Sequence, residues 1–187
     1  MTAAFQALLI YSIILLFFVP QQPSSGKLDL PTLVSLQELG FYVCQGDLVL
    51  PAETAHTRPS WDEWVLVSCR RRALMGLYCF EWIYAMLNGL PTFPCTELGF
   101  MPAPAGKVLW SARTEHEWES AYDRWLGRWA GMGAYKMQEL TQIEPGPELD
   151  LRTEMWLEEA DEFGIMHMAL GKNLLLYLVN PTLHCIC

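Results

Sequence analysis

Residues 59–82 read PSWDEWVLVSCRRRALMGLYCFEW, and this stretch decides the fold class. Ser60, followed three residues later by Glu63, makes a capping box in which each side chain satisfies a backbone N–H that a helix start leaves unpaired. The helix therefore begins near Trp61. Trp61, Trp64 and Val65, then Leu74, Leu77 and Tyr78, recur at the three- and four-residue steps of a helix face, with Gly76 the one weak position. Gly89 and Pro91 stop the run, so the spacing predicts a helix over 61–88. At about 1.5 Å per residue it extends roughly 40 Å, which puts Arg70, Arg71 and Arg72 in mid-span rather than at a solvated tip. Their heads must find water, carboxylates or an anion. Carboxylates elsewhere in the domain are the expected partners, because the guanidinium fork matches a carboxylate and partly buried charge has to be compensated. A phosphate or nucleic-acid patch is the rival reading.

Working outward, the chain reads as helix after helix. Ala3 to Val19 is apolar except for Gln6 and Ser12, at the lower edge of what spans a hydrocarbon core of about 30 Å. No Lys or Arg precedes it, and no clear small-x-small cleavage site follows. A core helix over 1–20 is the favoured reading, with a membrane anchor through residues 3–19 and a cleaved signal as competitors. Leu33, Leu36 and Leu39 behind Pro31 predict a short amphipathic helix over 31–43. Residues 45–59, with Pro51 and Pro59, read as a loop. Pro91, Pro94, Pro102 and Pro104 make 90–107 an extended connector, expected on the surface of the core and held there by Phe93, Phe100 and Met101. Thr114 with Glu117 is a second capping box and opens a helix over 115–130, which Gly131 and Gly133 close. Its stripe of Trp118, Tyr122, Trp125 and Trp129 is either a buried seam or a docking groove for a partner helix, and core packing is the ordinary use of such a stripe. Asp150 is a candidate cap for a last helix over 151–178, acidic first and apolar later. Glu154, Glu158, Glu159, Asp161 and Glu162 read there as a solvated face.

Chemistry is sparse. The chain has no phosphate-cradling G-x-x-x-x-G-K-[ST], no G-x-G-x-x-G after a strand, and His116-Glu117 lacks the second His of a zinc-protease helix. His56, His116, His167 and His184 show no ligand spacing, and Glu158 with Asp161 are better read as solubility than as a catalytic pair. No catalytic, cofactor or metal site is expected. A net charge of -9 without a basic stripe argues against direct DNA binding, which needs clustered positive charge. The six cysteines form no regular framework, which suggests a reducing compartment where they serve as small hydrophobes. The terminal Cys185-Ile186-Cys187 is similar to the prenylated end of small GTPases, but no G-protein motif precedes it.

One family does come into view. Trp61-x-x-Trp64, the triple arginine, the Gly89-Leu90-Pro91 turn, Cys95-Thr96-Glu97-Leu98, Met101-Pro102-Ala103-Pro104, Leu109-Trp110-Ser111-Ala112 and Glu117-Trp118 follow one another in an order that resembles the regulatory domain of fungal zinc-cluster transcription factors. Phe5 to Tyr11 is similar to an apolar helix of that domain. Ser68-Cys69 stand where such proteins usually carry Glu-Ser, so an ion pair from that Glu to an arginine one turn on is missing. The zinc cluster itself, which needs six cysteines with close C-x-x-C pairs, is also missing. The resemblance implies an all-α, irregular multi-helix regulatory domain over 1–180 with a short tail. It further implies a nuclear location and transcriptional regulation through protein partners, with control of a secondary-metabolite gene cluster by family association. Trp61, Trp64, Arg70, Arg71, Arg72, Trp110 and Trp118 are the candidate structural or interaction residues. A membrane-anchored protein without enzymatic activity and a truncated regulator are the alternatives, and the oligomeric state stays open.

Overall fold

A computed structural model describes residues 2–18, 30–91, 96–143 and 148–179, the side chains of Thr96 and of 171–179 excepted. The fold is all-α, with no strand among the described residues. The helices are α1 (Thr2–Phe17), α2 (Leu30–Cys44), α3 (Pro51–Thr54), α4 (Trp61–Leu87), α5 (Lys107–Ser111), α6 (Glu115–Arg128), α7 (Met137–Gln142), α8 (Leu151–Glu159) and α9 (Glu162–Val179), with a 3₁₀ turn at Thr96–Leu98. They fall into two compact units, one of residues 1–48 and 66–93, the other of 49–65 and 94–187. Residues of α4 belong to both.

In the first unit, α1, α2 and the greater part of α4 meet at positions without bulk. A Cβ on Gly40 would sit 2.7 Å from a Leu77 methyl and 3.8 Å from the Phe5 ring, and one on Gly76 would come within 3.3 Å of Leu9. The helices approach closely because those side chains are absent. Phe5, Leu9 and Ser12 form the buried stripe of α1, and the Ser12 hydroxyl donates to the Leu8 carbonyl at 2.8 Å, which makes its burial tolerable. From Arg71 to Trp82, α4 is covered on most sides, as Ala73, Leu74, Met75, Leu77, Cys79 and Phe80 are all buried.

The second unit is built on a chain of aromatic rings. Trp110 lies 5.3 Å from Trp64, Trp64 5.5 Å from Trp118, and Trp118 4.9 Å from Tyr122, centroid to centroid. The series continues through Trp125 and Trp129 to Tyr135 and ends on Trp156, stacked 5.6 Å from Tyr135. Such pairs add about 0.5–1.5 kcal/mol each beyond the area they bury.

Helix starts follow local chemistry. Glu63 N–H donates to the Ser60 hydroxyl at 3.3 Å and Ser60 N–H returns to the Glu63 carboxylate at 3.4 Å. At the second box Glu117 N–H donates to the Thr114 hydroxyl at 3.2 Å, but the Glu117 carboxylate accepts from Arg113 N–H at 2.9 Å, one residue earlier than the reciprocal pattern requires. The stretch 45–59 is not all loop: Pro51 opens α3 at its first position, where a missing N–H costs nothing, and Leu50 N–H donates to Glu53 at 2.9 Å. Short helices α5 and α7 also escape periodicity, being too brief to repeat a face.

Two expectations need correction. The connector does not lie wholly on the surface, although Met101 does hold it to the core as expected. Met101, Ala103 and Pro104 are buried, Ala103 N–H donates to Tyr135 at 2.7 Å, Met137 N–H to Met101 at 2.9 Å, and Pro102 bridges Lys136. Phe100, expected to hold it down, is 53% exposed, and Phe93 lies outside the described residues. Nor do residues 151–178 form one helix. Ala160 turns to an extended conformation, Asp161 accepts from Gly164 N–H at 2.9 Å to start α9, and Gly164 lets the chain pass close to Trp156, where a Cβ would come within 3.1 Å. Asp161 is therefore a buried cap and not part of a solvated acidic face. The ends at 180–187, including Cys185-Ile186-Cys187, lie outside the described residues.

Candidate interaction surface

The tryptophans singled out by spacing are mostly core. Trp64 and Trp118 are buried, Trp110 and Trp61 half-buried, and all but Trp61 join the aromatic series of the second unit. Trp118, Tyr122 and Trp129 are each no more than 2% exposed, so the α6 stripe is a packed seam rather than an open groove. Arg58 pins the opposite face of α6 through Glu119 at 3.1 Å and Asp123 at 2.5 Å.

The three arginines do not make a patch. Successive helix positions are about 100° apart, so three in a row must point three ways. Arg70 lies over Gly46, where a Cβ would be 2.9 Å from its guanidinium, beyond the last turn of α2; there a cation meets the negative end of the helix dipole. Arg71 is buried and donates to the Ser68 hydroxyl at 3.2 Å. Arg72 is half-buried beside Cys69, whose thiol pKa it pulls down against a larger upward push from burial. Burial raises Cys44 as well and takes Cys79 up to about 12, so these thiols stay protonated at neutral pH.

Sequence reasoning passed over the side chain that organises the second unit. Arg152 forks onto Glu139 at 2.9 and 3.0 Å, donates to the carbonyls of Met132, Gly133 and Ala134, and lies 5.6 Å from both the Trp129 and Tyr135 ring centres. It ties α8 to the turn after α6, where Gly131 and Gly133 take positive φ. Glu159, read as solvated, instead accepts from Trp129 Nε1–H at 3.1 Å and pairs with Arg128 at 3.1 Å, and burial raises its pKa. A lone Arg or Glu carries no periodic signal, so only the fold exposes these roles. Asp150, legible as a cap, does accept from Arg152 and Thr153 N–H groups at 3.0 Å.

A dense run of exposed apolar residues lies in the first unit. On α1, Tyr11 is 66% exposed, and Ile10, Ile14, Leu15 and Phe17 are also exposed, with Phe18 just past the helix end. On α2, against which α1 packs, Leu30, Val34, Phe41 and Tyr42 face outward. Glu38 is the one charged residue in the two helices. Exposed apolar residues scattered singly need no explanation, but a run of this length on neighbouring helices marks an interaction face. Among the described residues no helix is long and apolar enough to cross a membrane, and no three of His, Cys, Asp and Glu are placed to hold a metal ion. No family model, curated protein or solved structure matches this chain.

Proposed function

We propose that this chain is a non-enzymatic regulator of transcription that acts in the nucleus through protein partners, without contacting DNA itself. The observation that carries the reading is the outward-facing apolar surface of α1 and α2, whose one charged residue is Glu38, on helices that approach their neighbours closely at Gly40 and Gly76. An apolar face with one carboxylate suits another protein, whereas phosphate recognition needs clustered cations. The order of motifs that resembles the regulatory region of fungal zinc-cluster factors supports the same reading and extends it to control of biosynthetic genes.

The test is a reporter assay with the full chain fused to an unrelated DNA-binding module, beside Tyr11→Glu and Phe41→Glu variants. A change in reporter output that both variants abolish, at unchanged protein level, supports the proposal; output equal to the bare module sinks it. The same face would also suit a lipid surface, which the exposed Phe17 and Phe18 at the end of α1 favour. Localisation separates the two: nuclear signal supports the regulator, and membrane signal lost in the same variants supports lipid contact.

A further inference from the structure

The first unit also holds a cleft of about 290 Å³ between α2 and the C-terminal half of α4. Leu30, Leu33, Val34 and Gln37 on α2 face Tyr78, Glu81, Trp82 and Ala85 on α4, each set spaced at i, i+3, i+4 and i+7, so two helix stripes line opposite walls without filling the space between. Leu90 and Pro91 complete the lining. Nearly everything there is apolar, and its size lies at the lower end of small-molecule sites.

Within that lining stands a carboxylate that the described residues give no counter-charge. Glu81 is held by a hydrogen bond from Gln37, and burial pushes its pKa up with no cation opposing the shift. The arginines of this unit are far off: Arg72, nine residues earlier on α4, is about 14 Å away along the helix axis. A desolvated carboxylate without a counter-charge is costly, and a cationic ligand can relieve that cost.

We propose that this cleft binds a small hydrophobic amine, its apolar body held between the two stripes and its ammonium paired with Glu81. Charge complementarity selects the class. An ammonium supplies a cation that none of the described residues brings to Glu81, a neutral alcohol supplies only a hydrogen bond, and a carboxylate adds repulsion. The site is independent of the regulator reading and stands or falls without it.

Calorimetric titration of the full-length protein with phenethylamine, phenethyl alcohol and phenylacetate at neutral pH tests the proposal. Saturable binding of the amine is expected, with the alcohol and the acid at least tenfold weaker. Glu81→Gln should weaken the amine at least tenfold, while Glu38→Gln, which removes an exposed carboxylate outside the lining, should not. Glu81→Gln should also melt no lower than the parent, since it removes a charge that burial penalises. Val34→Trp, placing a large ring in the cleft from a position already 42% exposed, should abolish binding with the fold intact. Equal affinity for amine and alcohol, unchanged affinity in Glu81→Gln or in folded Val34→Trp, or no saturable binding of the amine would each overturn it.

Discussion

Replacing Arg152 by Ala should unravel the contact between α8 and the turn after α6. The guanidinium and the Glu139 carboxylate are 26% and 25% exposed, so the pair is neither dry nor freely solvated. Charge-assisted bonds of this kind are worth about 1.5–3 kcal/mol, and cation–ring contacts at partly exposed sites about 0.5–1 kcal/mol each. Water entering the gap recovers part of the loss, because the Met132, Gly133 and Ala134 carbonyls and Glu139 can be rehydrated. A net destabilisation of about 2–3 kcal/mol follows. Arg152→Lys keeps the charge without the fork and should lose about half as much. Urea unfolding followed by tryptophan fluorescence is the assay, since every tryptophan except Trp82 lies in the unit that Arg152 holds together. Combining Arg152→Ala with Glu139→Gln should give a coupling of about 1–2 kcal/mol. The reasoning is refuted if Arg152→Ala falls within about 0.5 kcal/mol of the parent, or if the two substitutions are simply additive.

Arg71→Ala should lower the melting temperature clearly, since leaving a buried hydrogen-bond partner unsatisfied costs about 1–3 kcal/mol, while Arg70→Ala, which loses its place at the end of α2, should cost under about 1 kcal/mol; equal shifts by circular dichroism would contradict the different environments assigned to them. Asp150→Ala should cost about 1 kcal/mol of cap, read by urea titration. The Thr153 hydroxyl and the backbone N–H groups hold the Asp150 pKa below its usual value, so its contribution is complete above about pH 4 and is lost as pH falls through the depressed folded value; a pH series in which Asp150→Ala and parent fail to converge in acid would refute this. Gly133→Ala should destabilise by about 1 kcal/mol through its φ of +68° even though nothing crowds the site, whereas Gly127→Ala, in α6 with open space around it, should stabilise by up to about 1 kcal/mol. The same sign for both in thermal melts would show that backbone conformation is not what distinguishes them.

What could be read in advance depended on how far each signal reaches along the chain. The start of α4 at Trp61 rests on Ser60 and Glu63, which lie within one turn of the atoms they satisfy. The same holds for Thr114 and Asp150, whose bonds run to residues two or three further on. Pro51 misled because one residue type serves both to break a helix and to begin one, and the choice lies in whether its N–H is needed. Residues 151–178 misled because an apolar-acidic rhythm continues smoothly across Ala160, while the break is made by Asp161 and by the room that Gly164 leaves for Trp156, a contact between α8 and α9.

That the chain is helical, and where most of its longer helices begin, was legible from residue order alone, because capping, glycine and proline act over a few residues and the apolar repeat acts over one helix face. The α6 stripe of Trp118, Tyr122, Trp125 and Trp129 was legible in the same way as a packing face. The division into two compact units and the different surroundings of Arg70, Arg71 and Arg72 emerge only in the folded chain. So do the burial of Met101, Ala103 and Pro104 beside Tyr135, the ties that Arg152 makes between α8 and the turn after α6, and the desolvation of Glu81 in its cleft. Each of these depends on residues brought together from distant parts of the chain, where burial sets what a charge costs and which neighbour can satisfy it.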